Sequence, residues 1–327
     1  MREVALFREG SMKKRSIVAI IGPTAVGKTE ASLELAERLG CEIVSVDSRQ
    51  VYRYLDIGTD KVSLEVRKVI PHHLIDVVDP DQIFSAADFV SLAGSAIEDI
   101  RSRGRYPLLV GGTPFYYKAL IDGILTSQLP KDLKLREELE SRAKEEGRSS
   151  LHEELARIDP ETASKLHPND LRRVTRALEI YLLTGRTASW WRKEGRRMGG
   201  LYDVLYLGLY RPREDLYSRI ESRIKRQFAS GFVEEVAYLL SKGYGEELPA
   251  MQGFGYRELV AYHKGHITLE EAARLDAKST KAFARRQMTW FKNFSHVIWY
   301  DISCISNRAL LSDMEGYMRR AFEGWIL

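Results

Sequence analysis

One glycine-rich segment, GPTAVGKT at residues 22–29, constrains the fold of this chain more than any other feature. It matches the pattern G-x-x-x-x-G-K-[ST], and it lies between a β-branched apolar run at residues 17–21 and a helical pattern at residues 29–39. In this context the glycines allow backbone N–H groups to turn toward phosphate oxygens, and the helix N-terminus adds positive charge. The sequence therefore predicts a phosphate-binding loop made of Gly22, Pro23, Thr24, Ala25, Val26, Gly27, Lys28 and Thr29.

Two side chains of this loop carry specific chemistry. Lys28 brings a positive charge to the phosphates, and the hydroxyl of Thr29 can bind Mg²⁺. Nucleotide hydrolysis does not follow from the loop alone, because hydrolases usually place an aspartate at the end of a second apolar strand. Here the apolar run at residues 108–110 ends in Gly111 and Gly112. The loop predicts binding of a diphosphate or polyphosphate group and leaves the reaction open.

Asp47 is the carboxylate that the predicted fold brings next to the loop. It follows a strand predicted at residues 42–46, and the carboxyl ends of parallel strands meet at one edge of a sheet. Its side chain could remove a proton from an acceptor nucleophile, or it could bind Mg²⁺. It could equally cap a turn, and the residues alone do not separate these interpretations.

Strand and helix patterns alternate over the first part of the chain. After the two strands on either side of the first helix, a third strand is predicted at residues 74–78 and a fourth at residues 108–110. Between them lies a helix at residues 85–103, for which Ser85 and Asp88 form a capping pair. This alternation indicates an α/β protein with a parallel sheet, because parallel strands need crossover connections.

The pattern changes to helices alone between residues 130 and 200. The helices predicted there cover residues 132–146, 151–158 and 169–184. Asn169 is expected to cap the last of them. Strand patterns return at residues 204–209 and 297–300. The sequence therefore predicts an α/β core formed by residues 1–129 and 201–327, with an α-helical insertion at residues 130–200.

The cysteines and histidines show no pattern of a metal site or a disulfide scaffold. Cys41 and Cys304 are the two cysteines of the chain, which is too few for either. His72 and His73 are adjacent on an extended segment, so their side chains face opposite ways and do not easily bind one ion. We interpret them, and His167, as structural residues.

Composition sets weak limits on the partners. The chain has 50 Lys and Arg residues against 46 Asp and Glu residues, and the net charge of +4 permits a nucleic-acid partner without requiring one. The apolar run at residues 17–21 is far shorter than the ~20 residues of a membrane span, and residues 1–16 show no secretory signal. We expect a cytoplasmic protein that does not bind membranes, with a frayed extension at residues 1–15.

Two basic regions are candidates for nucleic-acid contact. The first, at residues 277–300, contains no acidic residue, and its basic and aromatic side chains are Lys278, Lys281, Phe283, Arg285, Arg286, Trp290, Phe291, Lys292 and Phe294. Such groups can neutralise phosphates and stack on bases, but we favour an amphipathic helix with a solvated basic face and a buried aromatic face. The second is Arg172, Arg173 and Arg176, neighbours on one insertion helix, which are either RNA contacts or ordinary exposed charges.

Segments from nearly the whole chain after residue 16 together resemble the tRNA dimethylallyltransferase family, also called tRNA isopentenyltransferase, in its bacterial type. The resemblance is specific because several long segments match in order. They are GPTAVGKT at 22–29, SVDSRQVYRYLDIGTDK at 45–61, PHHLIDVVDP at 71–80, FSAADF at 84–89, LLVGGTPFYYKAL at 108–120, LHPNDLRRVTRALEIYLLTGR at 166–186, PREDLYSRIESR at 212–223, AMQGFGYREL at 250–259 and ARRQMTWFKN at 284–293.

The resemblance implies a P-loop kinase-like α/β core whose helical insertion binds the anticodon stem-loop of tRNA. It implies transfer of a dimethylallyl group from dimethylallyl diphosphate to N6 of adenosine 37, in tRNAs that read codons starting with U. Diphosphate is the other product, and Mg²⁺ is the cofactor that we expect. We also expect the protein to act as a monomer.

The resemblance further implies roles for individual residues. Asp47 corresponds to the general base, and Thr113 to a threonine close to the reacting groups. The residues that position the diphosphate are Thr24, Lys28 and Arg223. The tRNA contacts are Asp47, Ser48, Arg49, Gln50, Thr113, Arg136, Arg172, Arg173, Val174, Thr175 and Arg176.

Three other functions fit parts of the sequence. A P-loop small-molecule kinase would share the loop and the fold, but it predicts ATP turnover. An isopentenyltransferase that acts on free adenine nucleotides would not need a basic insertion. A non-catalytic RNA-binding protein would leave the phosphate-binding loop and Asp47 without a purpose.

Overall fold

A parallel β-sheet lies at the centre of the protein. The computed structural model describes residues 15–121, 129–198 and 202–323, so the extension predicted at residues 1–15 lies almost wholly outside the described residues. The described strands are β1 (Arg15–Ile21), β2 (Cys41–Ser45), β3 (His72–His73), β4 (Tyr106–Gly111), β5 (Tyr202–Tyr210) and β6 (Val297–Asp301). They form one sheet in the order β3-β2-β4-β1-β5-β6, and every neighbouring pair is parallel. The predicted fold class is confirmed.

Helices connect the strands and cover the sheet. Those of the described residues are α1 (Lys28–Leu39), α2 (Leu64–Val69), α3 (Ala86–Ser102), α4 (Pro114–Ile121), α5 (Leu133–Glu145), α6 (Arg148–Ile158), α7 (Pro160–Ala163), α8 (Leu171–Thr184), α9 (Ala188–Met198), α10 (Arg213–Ala229), α11 (Phe232–Ser241), α12 (Tyr256–His263), α13 (Leu269–Phe291) and α14 (Asn307–Glu323). Ser85 and Asp88 form the predicted capping box of α3. None of these helices combines the length and apolar character that a membrane span requires.

The two faces of the sheet carry separate hydrophobic cores. On β1, Val18 and Ile20 pack on one face with α1, α10 and α14, whereas Ile17, Ala19 and Ile21 pack on the other with α3 and α4. All five side chains are fully buried. Burial on both faces explains why the strand is a continuous apolar run in the sequence. It also fixes the position of the loop that follows β1.

Helices α5 to α9 lie in the interval where the sequence predicts an insertion. They enclose an apolar cluster of their own, to which Leu151, Leu155, Val174 and Leu178 contribute fully buried side chains. These helices are therefore stabilised largely by contacts among themselves.

The prediction of a strand at residues 74–78 is wrong. Strand β3 covers His72–His73 instead, where it pairs with β2. Leu74 and Asp76 have φ angles of 64° and 57°, and such left-handed residues end an extended strand. Leu74 and Ile75 are thus buried by a turn, and Val78 forms only an isolated parallel bridge, with Tyr52.

The cap of helix α8 also differs from the prediction. Asp170, not Asn169, is the capping residue, and its carboxylate accepts a hydrogen bond from the N–H of Arg173. Both residue types are common at helix N-termini, so the sequence pattern could not separate two adjacent candidates.

The adjacent histidines have partners within the protein. Nε2 of His73 lies 2.8 Å from a carboxylate oxygen of Glu42, and Nδ1 of His72 lies 2.7 Å from the carbonyl oxygen of Ile70. Within the described ranges, no group of three or more His, Cys, Asp or Glu side chains is arranged to bind a metal ion.

Candidate active site

A cavity of about 680 Å³ lies at the carboxyl ends of the central strands. It is lined by the loop after β1, by the ends of β2 and β4, and by α10 and α13. Its lining includes Asp47, Arg223 and Gln287. The carboxyl edge of an open parallel sheet is the usual position of a ligand site in α/β proteins.

Two glycines of the loop after β1 are required by its backbone. Gly27 has a φ of 116°, and α1 begins directly after it. Gly22 has a φ of 150°, and a Cβ there would lie 2.5 Å from the carbonyl oxygen of Leu209. Both positions therefore exclude a side chain. Helix α1 begins at Lys28, so its first unpaired N–H groups are available to an anion.

The ammonium group of Lys28 lies inside this loop. Its Nζ donates to the carbonyl oxygens of Gly22 at 3.0 Å and Pro23 at 2.7 Å. Burial lowers the pKa of Lys28 to about 8; the negative charge of Asp47 opposes this shift, and the positive charge of Arg223 adds to it. A buried ammonium gains from a neighbouring anion, so Lys28 is suited to contact a diphosphate.

Three arginines from the end of β5 and from α10 contact the same loop. Nη1 of Arg223 donates to Oγ1 of Thr24 at 2.7 Å, and Nε of Arg219 donates to the carbonyl oxygen of Ala25 at 3.0 Å. Nε of Arg211 donates to the next carbonyl of the loop, also at 3.0 Å. The resemblance implies a role for Arg223 but not for the other two. The signal for Arg219 was the spacing of four that places it on one helix face with Arg223.

The two carboxylate oxygens of Asp47 have different environments. Oδ1 accepts hydrogen bonds from the N–H groups of Arg49 at 2.7 Å and Gln50 at 3.3 Å. Oδ2 makes no hydrogen bond with the described part of the chain, and the residue lines the cavity. Asp47 therefore caps the turn after β2 and still keeps one free oxygen, so capping and proton transfer are compatible roles.

The turn that carries Asp47 is joined to the end of β4. The N–H of Ser48 donates to Oγ1 of Thr113 at 3.3 Å, and the N–H of Thr113 donates to the carbonyl oxygen of Val46 at 3.2 Å. Gly111 permits this close approach, because a Cβ there would lie 2.1 Å from the same carbonyl oxygen. Thr113 thus lies beside Asp47 in the structure.

Arg49 and Gln50 use their side chains within the protein. Nη1 of Arg49 donates to the carbonyl oxygen of Pro249 at 2.5 Å. The amide of Gln50 accepts from the hydroxyl of Ser45 at 3.1 Å and donates to the carbonyl oxygen of Thr59 at 3.2 Å. These contacts order the segment for which the resemblance implies RNA contact. A guanidinium has five N–H donors, so Arg49 keeps others for a ligand.

Helix α8 carries the second segment for which RNA contact is predicted. Val174 and Thr175 are buried in the core of the insertion, with 0 % and 2 % of their surface exposed. Arg172 and Arg173 are exposed. Arg173 forms an ion pair with Asp170, whereas Arg172 makes no hydrogen bond or close ion pair with the described residues. Arg172 is therefore the more available of the two charges.

A buried carboxylate holds Arg136 and Arg176. Both contact Oε2 of the fully buried Glu179, Arg136 through Nη2 at 2.8 Å and Arg176 through Nη1 at 2.6 Å. Arg176 also donates to the carbonyl oxygen of Pro130 at 2.9 Å. Removal of either arginine would leave a buried carboxylate with fewer partners, so both have a structural role beside any contact with RNA.

The basic stretch at residues 277–300 forms much of α13 and the segment after it. Arg285 and Arg286 are exposed, and Phe291 is fully buried, as expected for an amphipathic helix. Trp290, however, is 45 % exposed, so the aromatic face is only partly buried. The exposed basic face of α13 is open to a nucleic acid.

These features define a class of protein, a P-loop phosphate-binding α/β protein in which a free carboxylate oxygen and several cations share one cavity. The model of the IPP transferase family matches residues 50–294. The chain belongs to this family, and the resemblance found in the sequence is confirmed. The chain is similar to a tRNA dimethylallyltransferase of Dictyoglomus turgidum, with 47 % identity over 290 residues. These residues cover 89 % of this chain and 88 % of the relative.

Two solved structures are similar over most of this chain. One is the full-length tRNA isopentenylpyrophosphate transferase from Bacillus halodurans, with 39 % identity and a TM-score of 0.71 over 96 % of this chain and 98 % of that one. The other is a eukaryotic dimethylallyltransferase acting on tRNA, with 30 % identity and a TM-score of 0.77 over 88 % of this chain and 74 % of that one. Such agreement supports the same architecture in all three.

Proposed function

We propose that the protein transfers a dimethylallyl group from dimethylallyl diphosphate to N6 of adenosine 37, in tRNAs that read codons starting with U, and releases diphosphate. The observation that carries this proposal is a single cavity lined by the phosphate-binding loop, Arg223 and Asp47, whose Oδ2 makes no hydrogen bond with the described residues. The relatives named tRNA dimethylallyltransferase and tRNA isopentenylpyrophosphate transferase support the same reaction.

The cations of the cavity are suited to the departure of diphosphate. Lys28 lies within the loop, and Nε of Arg223 is buried without a hydrogen-bond partner in the described ranges. Such groups stabilise negative charge where it develops on the leaving group. Because an allylic carbon tolerates positive charge, the bond from carbon to the diphosphate oxygen can break early, and its electron pair leaves with the diphosphate.

Asp47 acts as the general base in this proposal. Adenine N6 is a poor nucleophile, since its lone pair is delocalised into the ring. As the new C–N bond forms, Oδ2 of Asp47 takes a proton from N6, a contribution of about 10²–10⁴-fold to the rate. The products are the N6-substituted adenosine and diphosphate, and no ATP is consumed.

Mg²⁺ fits this cavity as a cofactor. Thr29 lines the cavity at the start of α1, and its hydroxyl makes no hydrogen bond with the described residues. A hydroxyl, diphosphate oxygens and water molecules are the hard oxygen ligands that Mg²⁺ prefers. When bound, the ion would add positive charge beside the diphosphate.

The exposed basic faces of the protein are suited to the anticodon stem-loop. Arg172 and Arg173 lie on α8, and Arg285 and Arg286 lie on α13. Basic side chains bind the RNA backbone by charge and shape. Because Asp47 is half-buried, the target adenosine must leave its stack to reach it. We propose that one copy of the chain suffices, and that it acts in the cytoplasm.

A mass-spectrometric assay tests the function. Purified protein is incubated with dimethylallyl diphosphate, Mg²⁺ and an unmodified anticodon stem-loop that has adenosines after the anticodon, with AMP as a parallel acceptor. We expect one added C5H8 unit on the RNA and none on AMP. An adduct on AMP alone would support an isopentenyltransferase of free nucleotides, and ATP consumption without an adduct would support a kinase.

We expect kcat/KM for dimethylallyl diphosphate to decrease above pH 8. In the free protein, burial lowers the pKa of Lys28 to about 8, so the side chain loses its proton in this range, and with it the charge that binds diphosphate. The value of kcat/KM for dimethylallyl diphosphate should then fall by up to about tenfold per pH unit. In Lys28→Arg the guanidinium stays protonated, and the profile should be flat. A fall of the same shape in this variant would contradict the role of Lys28.

Replacement of Arg172 by Ala should weaken RNA binding and flatten its salt dependence. Its side chain is exposed and makes no hydrogen bond or close ion pair with the described residues, so its charge is available to a phosphate. Each lost phosphate contact should lower the slope of log K against log salt by about one unit, which fluorescence anisotropy of a labelled stem-loop can measure. Arg173→Ala should have an equal or smaller effect, because Arg173 pairs with Asp170. An unchanged slope in both variants would exclude these residues from the interface.

A further inference from the structure

The amide of Gln287 connects two loops of the cavity. Gln287 lies on the buried face of α13 and is 4 % exposed. Its Oε1 accepts a hydrogen bond from the N–H of Thr24 at 2.9 Å, and its Nε2 donates to the carbonyl oxygen of Gly112 at 2.5 Å. Thr24 belongs to the phosphate-binding loop and Gly112 to the loop after β4. One side chain therefore contacts both loops.

The contact with Gly112 continues to the turn that carries Asp47. Thr113, the next residue, accepts from the N–H of Ser48 and donates through its own N–H to the carbonyl oxygen of Val46. Asp47 lies between these two partners in the chain. Hydrogen bonds thus connect the phosphate-binding loop to Gln287 and Gln287 to Gly112. The peptide unit between Gly112 and Thr113 continues this path, and Thr113 contacts the residues on both sides of Asp47.

The fit of this amide is close and directional. A Cβ at Gly112 would lie 2.4 Å from Nε2 of Gln287, so the amide requires glycine there. Its acceptor faces an N–H, and its donor faces a carbonyl oxygen. A carboxylate could not donate to Gly112, and a methionine side chain could form neither hydrogen bond.

We propose that Gln287 is a positioning residue of the transfer reaction, which sets the separation between the diphosphate-binding loop and Asp47. The inference rests on the proposed function. Gln287 acts through Thr24 and Gly112 and does not itself touch the reacting atoms. Because the allylic carbon and N6 must be aligned with the base, a displacement of about 1 Å is sufficient to lower the rate by about 10²-fold.

Three variants test this role in the stem-loop assay. Gln287→Met removes both hydrogen bonds with little change in side-chain length, and Gln287→Glu keeps the acceptor for Thr24 but loses the donor to Gly112. The matched control is Thr280→Val. Thr280 lies on the same buried face of α13, is 5 % exposed, and donates to Asp276 at 2.9 Å, away from both loops.

We expect Gln287→Met to lower kcat by about 10²-fold, with a melting temperature and an affinity for the stem-loop close to those of Thr280→Val. For Gln287→Glu, the deficit relative to wild type should become smaller as the pH is lowered, because a protonated carboxyl group can again donate to Gly112. A purely structural role would change kcat in proportion to melting temperature, and it predicts no such recovery.

Two results would overturn the proposal. One is a kcat of Gln287→Met within about threefold of wild type, and the other is an equal loss of activity in Thr280→Val at the same melting temperature. If Gln287→Met does not fold, the pH dependence of Gln287→Glu decides, and a constant deficit rejects the role. No adduct from the wild type rejects the proposed function and this inference together, whereas a wild-type adduct with a fully active Gln287→Met rejects only the inference.

Discussion

Replacement of Asp47 by Asn should lower the rate of dimethylallyl transfer by about 10²–10⁴-fold and leave RNA binding intact. The turn is preserved, because the Asn oxygen can still accept from the N–H groups of Arg49 and Gln50. The amide nitrogen that replaces Oδ2 cannot take a proton from N6. Single-turnover rates at saturating donor and stem-loop measure the chemical step, and anisotropy with the same stem-loop measures binding.

The matched control for this variant is Asp60→Asn. Asp60 lines the same cavity, and its carboxylate lies 3.9 Å from Nη1 of Arg223, so the substitution removes an equal charge from the cavity. We expect a change of less than about tenfold, because an effect of charge alone is screened at an exposed side chain. Equal losses in both variants would contradict a base at Asp47. Recovery of Asp47→Asn at high Mg²⁺ would instead identify Asp47 as a metal ligand.

The core strands could be predicted because each buried strand is a short run of apolar residues in the sequence. Residues 17–21 form an apolar run that is buried on both faces of the sheet. The segment at residues 74–78 has a similar composition, and Leu74 is indeed only 6 % exposed, but it is buried by a turn. Leu74 and Asp76 have left-handed φ angles. Asp tolerates this conformation and is uncommon in strands, whereas Leu gives no such indication. Apolar composition predicts burial better than it predicts backbone conformation.

The candidate site was predictable where one short motif contains it. The phosphate-binding loop and the aspartate after β2 are of this kind, since each follows directly from its strand. Gln287 is different, because it contacts Thr24 across 263 positions of the chain, and no local pattern specifies such a pairing. For Arg136 a role could be predicted, but not the internal contact. The resemblance implies a contact with tRNA. In the structure Arg136 also pairs with the buried Glu179, and only the packing of α5 on α8 brings these two residues together.

Replacement of Arg223 by Gln should lower the transfer rate by about 10²–10³-fold, which is the usual cost of removing one group that stabilises developing negative charge. Arg223 donates to Thr24, and its Nε is buried without a partner in the described part of the chain, so it has donors available to the diphosphate. Because the charge on the diphosphate grows as the allylic bond breaks, kcat should fall as well as kcat/KM. A raised KM for the donor with unchanged kcat would limit Arg223 to ground-state binding.

The control for Arg223→Gln is Lys225→Gln, which removes one positive charge from an exposed side chain of the same helix, outside the cavity lining. We expect a change of less than about twofold, since solvent screens an exposed charge.

The pH profile adds a second criterion for the role of Arg223. The positive charge of Arg223 lowers the pKa of Lys28, so its removal should raise that pKa and move the decline of donor kcat/KM to higher pH. If the decline stays where it is in wild type, the charge of Arg223 does not act on Lys28. If kcat is also unchanged, the assignment of Arg223 to the leaving group is wrong.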